Sequence, residues 1–497
     1  MLWFLNLLLF FGLALCALPR DHETYLAAAE KACRTALGLL GPKQVKTRPL
    51  NQTIVEQNWS LTCVTEPHCI VLPRDAADVA VVMRVIKLND VVFAVRAAGN
   101  SPNPGWSSID KRGILIDLQR LNQVSVSGDA QRVRVGAGAR WGEVMAAANN
   151  HHVSVVGTRV SSLSVGGSIL GGGYFFVPGY GLAADNVRSV EVVLADGHIV
   201  NASCTENKQL LWAIKGGGAN FGIVTKFELD TIPIDKIWYE VLALAKDQAL
   251  DALDALAKWQ LQEGSLDTKG NIVFSVSLDA VLLAFIYTEP QVSRPKCFAP
   301  FYNLSPARTI VPATNGTFSS LYIIADSTLP KQVMRHDYRG ASSLVDAQLY
   351  KDVYKFWEAK ASTVFNNTGA RQTFVMQHVP AFMADYGVVR TGNPLGIPRR
   401  THQWWTTLVD WTRAEDDSEA RSVCIETADY WERLSKERRL GVPFLFMNDA
   451  GRDQNPIATY GADNFKKLRE VSLKYDSTQV FQRLQNDGFL LQKSVAL

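Results

Sequence analysis

Glycine crowds into one stretch of this chain, and that crowding limits the available folds more than any other feature. The runs Ala97-Ala98-Gly99-Asn100-Ser101, Val165 to Gly173, Tyr180-Gly181 and Gly216-Gly217-Gly218-Ala219-Asn220-Phe221-Gly222 all fall between residues 97 and 222. Glycine lets backbone amides approach a phosphate closely and adopts positive φ without strain, so such loops form anion-binding nests. One cluster alone is explained as well by turns. Four in one region point to a large phosphate-bearing ligand.

The intervening residues alternate strand and helix patterns. Strand signals at Cys69–Val71, Val91–Arg96 and Gly113–Leu118 flank a helix signal from Asp75 to Leu88. Further on come a strand at Arg132–Val135, a helix at Trp141–Asn149, a hairpin turned at Asp196-Gly197 and a last strand, Gly222–Glu228. This is the order of an α+β domain. After Pro233 the strands lengthen: Ile237–Ala243, Asn271–Val276, Leu282–Thr288, Phe374–Val379 and Trp404–Trp411. They are separated by helices at Gln248–Glu263, Ala347–Lys360 and Glu415–Arg438, and Pro290 to Pro312 reads as a loop. Such a pattern predicts a sheet with helices on one face.

Several chemistries are excluded. Gly136-Ala137-Gly138-Ala139-Arg140-Trp141-Gly142 follows a strand and precedes a helix, but its third glycine is one residue late for a dinucleotide fingerprint, and no acidic residue closes a strand about 20 residues on. There is no G-x-S-x-G elbow, H-E-x-x-H pair or Walker loop. Adjacent His151 and His152 point to opposite faces of a strand, and no metal site is expected. A net charge of +3 without a basic run speaks against nucleic acid as a partner.

The apolar run Leu2 to Leu15, followed by small residues before Arg20, reads as a signal peptide too short to span a membrane, so no span is expected in the mature chain. Sequons begin at Asn51, Asn58, Asn201, Asn303, Asn315 and Asn366. With an even set of six later cysteines, they indicate passage through the secretory pathway, secretion and disulfides. Connectivity is not fixed by sequence; a Cys33–Cys69 bridge would tie the helical segment Tyr25–Leu40 to the next domain.

The run Val95 to Ser101 resembles the pyrophosphate-binding loop of FAD-linked oxidases of the vanillyl-alcohol-oxidase superfamily, written R-G-G-G-H-S. Val165 to Tyr174 resembles their second glycine motif, and Ala183–Val187 and Asn220–Thr225 resemble the segments that contact adenosine and close the domain. Tyr460-Gly461-Ala462-Asp463-Asn464-Phe465, Lys474-Tyr475-Asp476 and Val480-Phe481 resemble the C-terminal signature of the berberine-bridge-enzyme-like subgroup. The resemblance implies an α+β fold: a signal (1–17), an N-terminal helical segment (18–66), a two-subdomain PCMH-type FAD-binding domain (67–232), a substrate domain with an antiparallel sheet covered by helices (233–455), and a C-terminal segment (456–497) returning to the FAD domain.

By the same resemblance the cofactor contacts are Arg96, Ala98, Gly99, Asn100 and Ser101; Ser161, Ser164, Gly166, Gly167, Ser168, Gly171, Gly172 and Gly173; Gly181, Asp185, Asn186 and Val187; Gly222, Ile223 and Val224; and Tyr460 and Asn464. Arg96, Gly99 and Ser101 are expected to touch phosphate. Members of the subgroup often bond the flavin to a histidine and a cysteine; here those positions hold Asn100 and Val160, so FAD is expected to bind non-covalently. The implied activity is hydride transfer from a small organic substrate to flavin N5, with dioxygen as acceptor, in fungal specialised metabolism. Tyr460 is the candidate base, with Asp449 and His402 behind it. Carbohydrate oxidation, an FAD-containing cyclase or isomerase without net redox, and a flavin-fold binding protein are the alternatives.

Overall fold

Parallel pairing organises the first sheet of the computed structural model, which describes residues 22–328 and 332–495; the expected signal segment lies outside them. Strands β1 (Val45–Thr47), β2 (Cys69–Val71), β3 (Val92–Arg96) and β4 (Gly113–Asp117) lie in the order β1-β2-β4-β3. β4 runs parallel to both neighbours, while β1 is antiparallel. Both faces are covered, so Ile70, Val71, Phe93, Ala94, Ile114, Leu115 and Ile116 are all buried without alternation. Helix Ala76–Asn89 makes the crossover, its first turn capped by Asp75 accepting from the Asp78 amide.

Helix His22–Leu40 lies against that crossover helix, and a Cys33–Cys69 disulfide with a Cα–Cα distance of 6.0 Å fastens it to β2. The other four described cysteines, Cys63, Cys204, Cys297 and Cys424, are free. Of the expected disulfides, the Cys33–Cys69 bridge is the one formed among the described residues. Cys297 and Cys424 sit among apolar side chains, where cysteine packs as a small hydrophobe. The sequon at Asn58 is corrected, because its side chain is buried and bonded to Arg96 and Ser107. The other five sequon asparagines are exposed.

The second sheet contains β5 (Val124–Val126), β6 (Arg132–Gly136), β7 (Ser154–Val155), β8 (Val187–Val193), β9 (Ile199–Ser203) and β10 (Ile223–Ile232), in the order β5-β6-β10-β8-β9 with β7 against β10. The β8–β9 hairpin turns where expected, with Gly197 at φ 81°.

Seven antiparallel strands form the third sheet: β11 (Ile237–Ala245), β12 (Gly270–Val276), β13 (Ala280–Tyr287), β14 (Pro306–Gly316), β15 (Arg335–Ser343), β16 (Arg371–Val379) and β17 (His402–Trp411), ordered β14-β11-β13-β12-β16-β17-β15. Alternation along the strands separates two faces. Trp238, Leu242, Phe274, Leu283, Phe285, Phe374, Met376, Trp405 and Val409 pack under helices Ala249–Leu261, Ala347–Thr368 and Asp417–Glu437. Tyr239, Val241, Ala284, Ile286, Val379 and Trp404 instead join the core of the FAD-type domain. The sheet thus turns one face to the glycine loops.

Sequence patterning missed β14, β15 and helices Phe318–Thr328 and Ala381–Arg390. β14 carries Pro306 and Pro312, which reads as loop; it survives because it is an edge strand, largely exposed, where a missing amide donor costs little.

Candidate functional site

Arg96 ends β3 opposite Asp117 at the end of β4. Its guanidinium is buried and spends every N–H inside the protein: Nε and one Nη bond Asp117 at 3.0 and 2.6 Å, and the rest bond Asn58 Oδ1 and the carbonyls of Ile54 and Val55. These bonds make Arg96 the anchor of the loop's start, and it also lines the cleft beside the loop. Gly99 follows at φ 70°, with Asn58 so close that a Cβ would lie 3.2 Å from its Cα. The amides of Ala98, Gly99, Asn100 and Ser101 donate to no described group. Asn100 Oδ1 is buried without a partner. Beside them opens a cleft of about 230 Å³, lined by Gln57, Ala98, Gln119, Asn122, Arg140 and Glu143 among others. Open amides and a polar cleft that also carries Arg96 and Arg140 fit the phosphate-bearing part of FAD.

The second motif forms helix Val165–Leu170 and the turn after it. Ser168 Oγ donates to the Ser164 carbonyl and accepts from Trp141 Nε1, and Ser161 Oγ donates to Asp326. Those hydroxyls serve the fold. The glycines serve closeness: a Cβ on Gly171 would lie 2.2 Å from Asn448 Nδ2, and the Gly173 amide donates to Asn448 Oδ1 at 3.0 Å. Gly172, at φ 116°, faces Phe446, Leu182 and Leu395. Gly166 touches the Ala137 carbonyl, and Gly167 has only Ser164 nearby.

Asp185 and Asn186 are buried and committed. Asp185 accepts from the Leu182 amide and Asn393; burial raises its pKa against the pull of Lys215, whose own ammonium burial draws down to about 8. Asn186 donates to the carbonyls of Tyr180 and Leu182, next to Gly181 at φ 66°. Val187 opens β8, and Gly222, Ile223 and Val224 pack along it at the start of β10. These side chains hold the domain together.

The three candidate bases separate clearly. Tyr460 donates its hydroxyl to the Gly216 carbonyl at 2.9 Å, burial raises its pKa further, and Asn464 bonds its main-chain carbonyl. His402 donates from Nδ1 to the Arg400 carbonyl and accepts at Nε2 from Trp404 Nε1; burial lowers it to about 4. Both groups are thus held in hydrogen bonds within the protein, Tyr460 as a donor and His402 through both ring nitrogens. Asp449 differs. It keeps some surface, but its carboxyl is enclosed by protein, and burial raises its pKa against the nearby Arg159 charge. Gln377 Nε2 donates to Asp449 Oδ2, and Gln377 Oε1 accepts from Arg159, both at 2.5 Å.

Around this chain lie Tyr174, stacked under Arg159 at 5.0 Å, Tyr338, whose hydroxyl faces Ser101 of the first loop, and Trp404, stacked on Phe446 at 4.6 Å. Both glycine loops and the inward face of the third sheet thus converge on Asp449. Sequence reasoning missed Arg159, Gln377, Tyr338 and Asn448. Gln377 alone left a signal: it interrupts the apolar strand Phe374–Val379 at a position whose parity matches Val379 and the inward face.

The FAD binding domain family matches residues 67–203. An FAD-dependent monooxygenase of Arthrobotrys oligospora is 34% identical over 472 residues, covering 95% of this chain and 91% of that protein. The bifunctional solanapyrone synthase of Alternaria solani is 34% identical over 434 residues, covering 87% and 83%. Among solved structures, chitooligosaccharide oxidase superposes with a TM-score of 0.76 at 21% identity, covering 92% of this chain and all of that one. Glucooligosaccharide oxidase of Acremonium strictum, which carries a 6-S-cysteinyl, 8α-N1-histidyl FAD, gives 0.76 at 18% identity, covering 90% and 97%. Berberine bridge enzyme from Eschscholzia californica gives 0.73 at 17%, covering 91% and 98%. No helix among the described residues is long and apolar enough to cross a membrane.

Proposed function

Because the chain belongs to the FAD-linked oxidoreductases of the vanillyl-alcohol-oxidase superfamily, in the berberine-bridge-enzyme-like subgroup, we propose that it oxidises a small molecule of fungal specialised metabolism, with Asp449 as the base. When bound, FAD supplies a hydride acceptor at N5 and passes the electrons on to dioxygen. The chain supplies the rest. The observation that carries this reading is the enclosed Asp449 carboxyl, joined to Gln377 and flanked by the residue that meets the second glycine motif, Asn448.

Gln377 fixes Oδ2 and leaves Oδ1 to take an O–H or N–H proton from the substrate. Burial keeps the carboxyl's pKa above the ordinary aspartate value, which makes its conjugate base stronger at the pH of turnover. Trp404 and Phe446 give the same face an apolar wall that excludes water from the proton transfer.

Non-covalent attachment of FAD is part of the proposal. Asn100 and Val160 carry no nucleophile. The thiol nearest the first loop, Cys63, donates to the Ser101 carbonyl, and burial pushes it up to about 11, so it stays protonated. Passage through the secretory pathway is supported by the Cys33–Cys69 disulfide and five exposed sequons.

The carbohydrate reading draws only on fold neighbours of about 20% identity and is set aside. Cyclisation on FAD remains as a second reading, since a relative 34% identical over 434 residues is named a synthase rather than an oxidase or monooxygenase. Anaerobic titration of the yellow protein with candidate substrates tests both: bleaching of the flavin, slowed about 10²–10⁴-fold in Asp449→Asn, is expected for oxidation. Product formation without bleaching would select cyclisation. Bleaching at an unchanged rate in Asp449→Asn would remove Asp449 from the mechanism.

A further inference from the structure

Arg159 is the unexplained charge of this site. It lies in the segment before the second glycine motif, and its neighbours are held from outside: Tyr322 of helix Phe318–Thr328 donates to the Thr158 carbonyl, and Ser161 donates to Asp326 of the same helix. The position is therefore set by packing. The half-buried guanidinium lies over the Tyr174 ring at 5.0 Å and makes one hydrogen bond, to Gln377 Oε1. No carboxylate among the described residues comes within ion-pair distance of it. The contrast with other sheltered arginines is sharp. Arg96 has Asp117, Arg335 has Asp417, and Arg421 has Asp337 and Asp453.

Sheltering a cation without an anion is costly, and a guanidinium offers five N–H donors in a planar fork. Here one is used. Asp449 does not fill the fork, because Gln377 stands between them, accepting from Arg159 and donating to Asp449. The amide thus spaces a cation and a carboxylate apart while fixing the orientation of both.

Resting on the reading of Asp449 as the base, we propose that Arg159 is a substrate-binding residue that selects organic oxyanions, a carboxylate or an enolate. The fork would receive the anionic oxygen bidentately, while Asp449 receives the proton of a second O–H or N–H. A neutral polyol offers the guanidinium no such partner. The substrate class is therefore a small organic acid or an enolised 1,3-dicarbonyl carrying a further hydroxyl or amine at the carbon to be oxidised.

The test uses the FAD-loaded protein and probes that need no turnover: benzoate against benzamide, and dimedone, ionised at neutral pH, against its methyl enol ether. Binding is read by calorimetry and by the change in flavin absorbance. The wild type should bind at least one anion about tenfold or more tightly than its neutral counterpart. Arg159→Gln should erase that preference while leaving the neutral probes within about twofold, and Arg159→Lys should retain part of it. Benzoate preference alone identifies a carboxylate site, dimedone preference alone an enolate site. Equal binding of ion and neutral isostere, binding of neither ion, or a preference surviving in FAD-loaded Arg159→Gln each overturns the proposal. The wild-type comparison stands even where a variant does not fold. Flavin reduction and its dependence on Asp449 are separate measurements, so either reading can fail alone.

Discussion

Replacing Asp117 with alanine isolates what holds the first glycine loop. The substitution strands the Arg96 guanidinium, which is 1% exposed and gives two of its N–H groups to that carboxylate. Removing one partner of a buried pair costs about 3–5 kcal/mol, because the remaining charge has no water to turn to. The cost falls on the loop. Arg96 holds Asn58, Asn58 touches Gly99, and the Trp59 amide donates to the Gly99 carbonyl. At about 1.4 kcal/mol per factor of ten, the ordered loop and the FAD affinity that needs it should fall roughly 10²- to 4 × 10³-fold. The double variant Arg96→Met/Asp117→Ala removes the charge with its partner and should recover most of the loss. The assay is calorimetric titration of apoprotein with FAD, with urea unfolding of each variant alongside. Wild-type FAD affinity in Asp117→Ala would refute the reasoning. So would a double variant as weak as the two single losses combined, since that would mean Arg96 itself contacts the phosphates.

Other outcomes are expected on the same physical grounds. Burial raises Asp449, so its ionised form is lost on acidification earlier than for a free aspartate; kcat/KM should fall with an acid limb above the ordinary value of 3.8, and the limb should vanish in Asp449→Asn. His378 and His402 are both lowered from 6.5 to about 4 by burial, so the unfolded chain takes up protons first. Their contribution of roughly 3 kcal/mol each is complete above about pH 6.5 and drains away as the pH falls toward 4, and His402→Gln should make the pH dependence of urea unfolding shallower in that window. Acid precipitation should leave FAD in the supernatant, and Cys63→Ser should not change this; a yellow pellet would show a covalent bond. Gly173→Ala should yield protein purified without FAD, because the position holds φ 75° and the methyl would meet the Ala183 Cβ at 2.7 Å.

The scaffold was legible because its signals are local. Period-two strands, the Asp196-Gly197 turn, and helix Trp141–Asn149 follow from neighbours in sequence. The glycine loops were legible as loops for the same reason. What was not legible depends on which residues meet across the chain. Arg96 looked free because nothing near it in sequence announces Asp117 as its partner. Tyr460 and His402 looked reactive until their hydrogen bonds to the Gly216 and Arg400 carbonyls accounted for them. Arg159, Gln377 and Asp449 are isolated polar residues from three distant segments, and only the inward face of the third sheet makes them neighbours. β14 and β15 were hidden by proline at an edge and by polar residues that tertiary partners satisfy, such as His336 with Asp410.

The path of the last described residues sets the timing of biosynthesis. The Phe93 amide donates to the Leu484 carbonyl, the Asn486 amide returns to the Phe93 carbonyl, and Arg483 pairs with Asp90, 393 positions earlier. Asn486 also donates to the Gly105 carbonyl just beyond the first glycine loop. The sheet that carries this loop therefore gains its final border from residues made 393 positions after Asp90. A nascent chain with its first 300 residues exposed has the glycine motifs but lacks the strap across β3, so cofactor loading waits for residues 483–486. Whatever escorts this protein must protect a nearly finished domain until that strap arrives.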